Sequence, residues 1–187
     1  MTHSILKAGK DGYVCDRCHA TIKRGDKYHR VEAFMGPVHK YCGIHSLSAG
    51  EMETNDNKRT AYLAAERVKN FGLDDWSNQD ANELSEVLGN LVGVVEEARD
   101  EIDTVREEVD EKLENMSEYN LTGGDAYEGL EEMRDQLEQY VESLEQLIDD
   151  LNERKNELDN VTDDSDETEQ IWDQALDSYN ELEDLEL

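Results

Sequence analysis

The stretch that decides the fold is Ala81–Met116, ANELSEVLGNLVGVVEEARDEIDTVREEVDEKLENM. From Leu84 its apolar residues step by four and three: Leu84, Leu88, Leu91, Val95, Ala98, Ile102, Val105, Val109 and Met116. Such a/d spacing over more than four heptads predicts one long helix with a narrow apolar seam. Lys112 takes one expected seam position. A second stripe follows in Leu130, Met133, Leu137, Tyr140, Leu144, Leu147, Leu151, Leu158 and Val161, with Arg154 in its gap. Between the two, Gly123–Gly124 predicts a break. Helices over 80–116 and 126–160 would each span about 50–55 Å at 1.5 Å per residue. Equal lengths and a short loop imply an antiparallel helical hairpin, with the polar seam residues Lys112 and Arg154 setting register. The same heptads would also serve a coiled-coil dimer, so a monomeric hairpin and a dimer both remain open.

Outward from the hairpin, Ile171, Trp172, Ala175, Tyr179 and Leu182 form the apolar face of a C-terminal helix, which docks on the hairpin or on a partner. Upstream, Ala61, Ala64, Ala65 and Val68 predict a short helix over 58–71 that stops at Gly72. Ser77, with Trp76 before it and Asp80 three residues on, reads as a cap for the first long helix. The segment 47–57 reads as a polar bridge.

Charge divides the chain. Residues 1–45 carry eight bases and four acids, while the remaining 142 carry ten bases and 44 acids, for an overall net charge of −30. All three cysteines, all five histidines and the one proline lie in the first part. Leu, Ile, Val and Phe supply only 39 of 187 residues, which excludes a large globular core. The organisation expected is a small zinc finger over 1–46, a short helix and linker over 47–79, an acidic hairpin over 80–161 and an acidic helix over 162–187. No run of eighteen apolar residues exists and no apolar leader opens the sequence, so a cytoplasmic protein away from the membrane is expected.

The chemistry is concentrated between Cys15 and His45. Cys15-x2-Cys18 is followed, twenty residues later, by His39-x2-Cys42. Two such pairs suit tetrahedral Zn2+, bound as one structural ion by Cys15, Cys18, His39 and Cys42. Cys42-x2-His45 is a competing pair, and His45 is otherwise a spare. His3, His19 and His29 read as solvated. Thr21–Arg24, the Gly25–Asp26 turn, an alternating strand over Tyr28–Phe34 and a turn at Gly36–Pro37 would form a hairpin. With His39 and Cys42 at the start of a helix, the arrangement is a treble clef. The fold class expected is therefore mainly α, with an N-terminal treble-clef finger ahead of the acidic helices.

The matching residues Cys15, Cys18, Ile22, Gly25, Tyr28, Arg30, Gly36, His39 and Cys42 give a pattern that resembles zinc fingers of the poly(ADP-ribose) polymerase type and the first finger of LIM domains. Small phage- and prokaryote-encoded proteins carry similar stand-alone fingers. The resemblance covers about 35 residues and implies zinc. It implies DNA-break reading in one family and protein binding in the other.

Four good ligands would close the zinc shell, and no H-E-x-x-H, G-x-S-x-G or phosphate-binding Gly-rich loop is present. A non-enzymatic interaction or adaptor protein with a protein partner is expected. One alternative is an acidic mimic of nucleic acid, since DNA carries one charge per about 1.7 Å of axis. Another is nucleic-acid binding through Arg17, Lys23, Arg24, Lys27, Tyr28 and Arg30.

Overall fold

The computed structural model describes residues 2–32, 37–53, 55–73, 80–161 and 165–182. Phe34 and Gly36 of the expected hairpin, and the Trp76–Ser77 cap, lie outside the described residues. The chain forms two compact units, Met1–Leu63 and Ala64–Leu187.

Among its described residues the first unit holds five short strands: β1 (Thr2–Lys7), β2 (Tyr13–Val14), β3 (Thr21–Ile22), β4 (Lys27–Glu32) and β5 (Val38–Cys42). All pairings are antiparallel, in a β1-β4-β5 sheet and a separate β2-β3 ribbon. Strand β1 has no counterpart in the sequence reading. Its side chains give no period-two signal, because Ile5 and Leu6 are both exposed and the strand is held through its backbone. A small core gathers Ala8, Cys15, Ile22, Tyr28, Val31 and Tyr41, with Tyr13, Cys42 and Leu47 against it.

What read as a polar bridge also contains structure. Ser48 caps the short helix α1 (Ala49–Met52) through a reciprocal capping box with Glu51. Glu51 is buried at 5% exposure, and its carboxylate accepts a hydrogen bond from Arg17 Nε at 2.6 Å and from the Ser48 backbone N–H at 3.0 Å. Arg59, early in α2 (Asp56–Lys69), donates to the Glu51 carbonyl at 3.0 Å and lies over the Tyr41 ring at 5.6 Å. These ties carry the first unit beyond residue 46. The division between units falls within α2.

The second unit is helical: the end of α2, then α3 (Ala81–Glu118), α4 (Asp125–Asn160) and α5 (Ser165–Glu181). Helices α3 and α4 pack on one another along their length. Ser85 bonds Asp159, Gly89 faces Lys155, and Arg99 pairs with Glu145. As the α3 number rises from 85 to 99 the α4 number falls from 159 to 145, so the pair is an antiparallel hairpin within one chain. Leu88, Leu91, Val95, Ala98, Ile102 and Val109 of α3 are fully buried, as are Leu144 and Leu151 of α4.

The hairpin departs from the expected reading in three places. Asp80 caps α3, accepting from the Asn82 and Glu83 N–H groups, with Glu83 completing the box. At the seam, Lys112 is exposed and Leu113 is buried at 5% exposure. An α-helix turns every 3.6 residues, so over several heptads a straight stripe slips from a strict 3.5 repeat and Leu113 moves into the seam. The helix stops at Asn120, before the glycines. Asn120 adopts φ +55°, its N–H bonds Ser117 O at 3.0 Å, and the Leu121 N–H bonds Met116 O at 2.8 Å. That is a Schellman stop with asparagine in the left-handed position.

Arg154 does occupy a half-buried place, donating to Gln174 Oε1 of α5 at 2.7 Å. The predicted face of α5 is buried against the bundle, Trp172 at 3% exposure, and Tyr179 donates its hydroxyl to Val68 O of α2 at 2.7 Å. No helix among the described residues is long and apolar enough to cross a membrane.

Candidate metal centre

The first half of the site is a tight turn carried by the β2-β3 ribbon. The Cys15 N–H bonds Ala20 O at 2.9 Å, and the His19 N–H bonds Cys15 O at 2.9 Å. His19 takes a left-handed conformation, φ +56°, as the chain doubles back. Both sulfurs of Cys15-x2-Cys18 thereby face one point. The second half is the end of β5 and the turn after it. The His45 N–H closes on Cys42 O at 3.2 Å, and the Gly43 N–H bonds Lys27 O at 3.0 Å. The turns meet where the Cys42 N–H donates to Cys15 Sγ at 3.3 Å.

Cys15, Cys18, Cys42 and His45 present ligand atoms that all lie within 4.8 Å of one another. Cys18 Sγ and Cys42 Sγ are 3.7 Å apart. Two thiolates each about 2.3 Å from one tetrahedral ion stand about 3.8 Å apart, whereas a disulfide needs about 2.05 Å. His45 Nε2 is buried and has no hydrogen-bond partner among the described residues, which leaves its lone pair for a metal. The donor set Cys3His, its spacing and the unpaired ring nitrogen fit a tetrahedral zinc site.

His39, expected as the fourth ligand, is not among the four residues brought together here, and His45 is. The reason lies in the strand. His39 and Cys42 are not at a helix start. Both lie on β5, paired with Val31 and Tyr28 of β4. Side chains three residues apart on a strand point to opposite faces. Cys42-x2-His45 instead straddles a turn, which brings both side chains to one side. The next helix, α1, begins only at Ala49.

His39 lies beside Asp16. Its Nδ1 lies 3.2 Å from Asp16 Oδ2, which also accepts from the Lys40 N–H at 2.9 Å. The Asp16 N–H returns a bond to Lys40 O at 2.8 Å. The first turn is thus fastened to β5 through Asp16, inside the Cys-x2-Cys loop. His39 Nε2 is 3.9 Å from Asp56 Oδ1.

Local electrostatics differ between the thiols. Burial pushes the Cys15 thiol up, but the backbone hydrogen bonds of Cys18, Cys42 and Arg17 outweigh it and bring the pKa down to about 6. Cys42 is pushed up to about 11 by burial and by hydrogen bonds with the Cys18 and Cys15 side chains. Metal-free, the Cys15 sulfur is therefore biased toward the thiolate and Cys42 toward the thiol.

The remaining histidines divide. His19 is exposed. His3 and His29, expected to be solvated, face one another across β1 and β4 with Nε2 and Nδ1 at 3.0 Å and ring planes within 13°. His29 is half-buried, and burial together with His3 holds its pKa below the usual imidazole value. Of the residues considered for nucleic-acid contact, Tyr28 is buried at 5% exposure, Arg17 pairs with Glu51 and Arg30 pairs with Glu32. Sequence reasoning missed Asp16, Gly43, Glu51 and Arg59. Only Gly43, the small residue inside Cys42-x2-His45, left a local trace.

Comparison with protein-family models, curated proteins and solved structures finds no match.

Proposed function

We propose that this chain is a non-enzymatic interaction protein in which a structural zinc ion holds a small finger and the acidic hairpin docks a protein partner. The observation that carries the reading is the converging Cys3His set. Cys15, Cys18, Cys42 and His45 would fill all four places around a tetrahedral ion. A filled shell leaves no site for water or substrate, which is the mark of structural zinc. The LIM-like and polymerase-like spacing supports zinc; with His45 as the fourth ligand it no longer supports their treble-clef helix.

Docking is supported by the hairpin tip. Among the described residues of the second unit, the large apolar side chains most exposed are Tyr119 at 74% and Leu121 at 58%, both in the turn between α3 and α4. Residues 113–133 around them hold six acids and no Lys or Arg. The partner this fits has an apolar pocket with a basic rim. The Leu121 N–H bonds Met116 O at 2.8 Å, yet the leucine side chain remains exposed.

Zinc removal tests the first half. With the full chain, a chelator should abolish the finger's near-UV signal while most far-UV helical signal stays. Equal loss of both, or loss of neither, would contradict a structural role confined to the finger. A catalytic centre would reveal itself instead as an exchangeable water on a cobalt-substituted site. The tip is tested by Tyr119→Ser with Leu121→Ser, which should abolish partner capture without lowering the melting temperature. Capture that depends only on ionic strength and ignores the double substitution would favour nucleic-acid mimicry.

A further inference from the structure

We infer that Cys18 and Cys42 form an oxidative modification site, the pair through which a two-electron oxidant such as hydrogen peroxide disassembles the finger. The inference rests on the zinc reading of the same cluster and adds what its sulfurs do when attacked.

The three cysteines are not equivalent. Cys15 is 0% exposed, enclosed in the finger core with Ile22 and Tyr28. Cys42 is half-buried, and Cys18, at the outer end of its turn, is exposed. Thiolate oxidation follows thiolate character and access. Binding at the site keeps all three sulfurs deprotonated, so access decides, and it selects Cys18. Cys42 Sγ stands 3.7 Å from it, and Cys42 is the more accessible of the two other sulfurs. Closing to a disulfide at about 2.05 Å needs a movement under 2 Å between a turn residue and the last residue of β5.

The steps balance. The Cys18 thiolate attacks one oxygen of hydrogen peroxide, the O–O bond breaks, and with one proton taken up the products are Cys18 sulfenic acid and water. The Cys42 thiolate then attacks the Cys18 sulfur, the S–O bond breaks, and hydroxide leaves as water with a second proton. Two thiolates lose two electrons in total and the peroxide gains them. Cys15 and His45 remain, and two ligands do not hold a tetrahedral ion. Two-electron reduction by a dithiol reverses the change.

The test uses the full zinc-loaded chain and hydrogen peroxide. Released zinc is followed with a chromogenic chelator, and peptide mass spectrometry maps the cross-link with and without prior reduction. The expected result is a Cys18–Cys42 disulfide formed in step with about one zinc released per chain, with dithiothreitol and added zinc restoring the finger signal. A disulfide that includes Cys15, or sulfinic and sulfonic acids without a cross-link, would overturn the assignment. So would zinc retained at a peroxide excess that oxidises a free thiol completely. Because Cys18→Ser could unfold the finger, the wild-type cross-link map is decisive. Cys18→His, which keeps a ligand, serves as the second measurement and should release zinc at least tenfold more slowly. A parent chain that binds no zinc before peroxide is added would sink the zinc reading and this inference with it, whereas a zinc-loaded chain that fails to form the Cys18–Cys42 cross-link would sink this inference alone.

Discussion

Gly43 is where a single methyl group should do the most damage to the metal centre. A Cβ built on it would lie 2.7 Å from Lys27 O and 3.2 Å from Lys27 C. Both are backbone atoms of β4, and that oxygen accepts the Gly43 N–H at 3.0 Å. No flexible side chain can swing away, so the turn must lift off β4. Overpacking of this kind costs about 1–3 kcal/mol, and weakening the hydrogen bond adds about 1 kcal/mol. The strain falls on the turn that carries Cys42 and His45, and finger folding and metal binding are one equilibrium. Gly43→Ala should therefore weaken zinc affinity by about 2–4 kcal/mol, roughly 30- to 1,000-fold. Competition against a chromogenic chelator measures this directly, with far-UV circular dichroism as the control for the helical unit. An affinity within threefold of the parent would refute the close approach of Gly43 to Lys27.

Two further expectations concern the helices. Leu113→Ala should cost about 2–3 kcal/mol of stability in the second unit, since Leu113 is buried, whereas Lys112→Ala on the exposed face should stay within about 0.5 kcal/mol. Urea melts of the two variants decide between the observed seam and a strict heptad, which predicts the reverse order. The net charge of −30 makes the fold repel itself, so its melting temperature should rise between about 10 mM and 150 mM salt. A melting temperature that is flat or falls over that range would contradict the claim.

The helical part was readable because its signal is one-dimensional. Leu88, Leu144 and Leu151 recur at helical spacing, and recurrence alone predicts which face is buried. Reading went astray where three-dimensional context decides. Lys112 and Leu113 exchange places through drift that a fixed repeat ignores. Asn120 stops α3 because it tolerates a left-handed backbone, a weaker signal than the glycines beyond it. In the finger, the cysteines announce themselves by type and spacing, and the His-x2-Cys pattern favours His39 over His45, but a linear pattern does not fix which face either presents. The face each presents depends on whether Cys42 sits on a strand or a helix. That depends in turn on β1 and β4, and β1 leaves no alternation to read. Glu51 and Arg59 brace the finger through tertiary contacts with Arg17 and Tyr41, which no local pattern marks.

The central claim is that Cys15, Cys18, Cys42 and His45 hold the ion while His39 only fastens the first turn through Asp16. Cobalt substitution of the full chain tests it, read as the intensity of the tetrahedral d–d bands together with the dissociation constant, for His45→Ala and His39→Ala side by side. The account predicts that His45→Ala alters the band pattern and weakens binding at least a hundredfold. His39→Ala should keep the parental spectrum and lose no more than about tenfold. A parental spectrum in His45→Ala, with the ligand field changed in His39→Ala, would contradict the account and return the fourth place to His39.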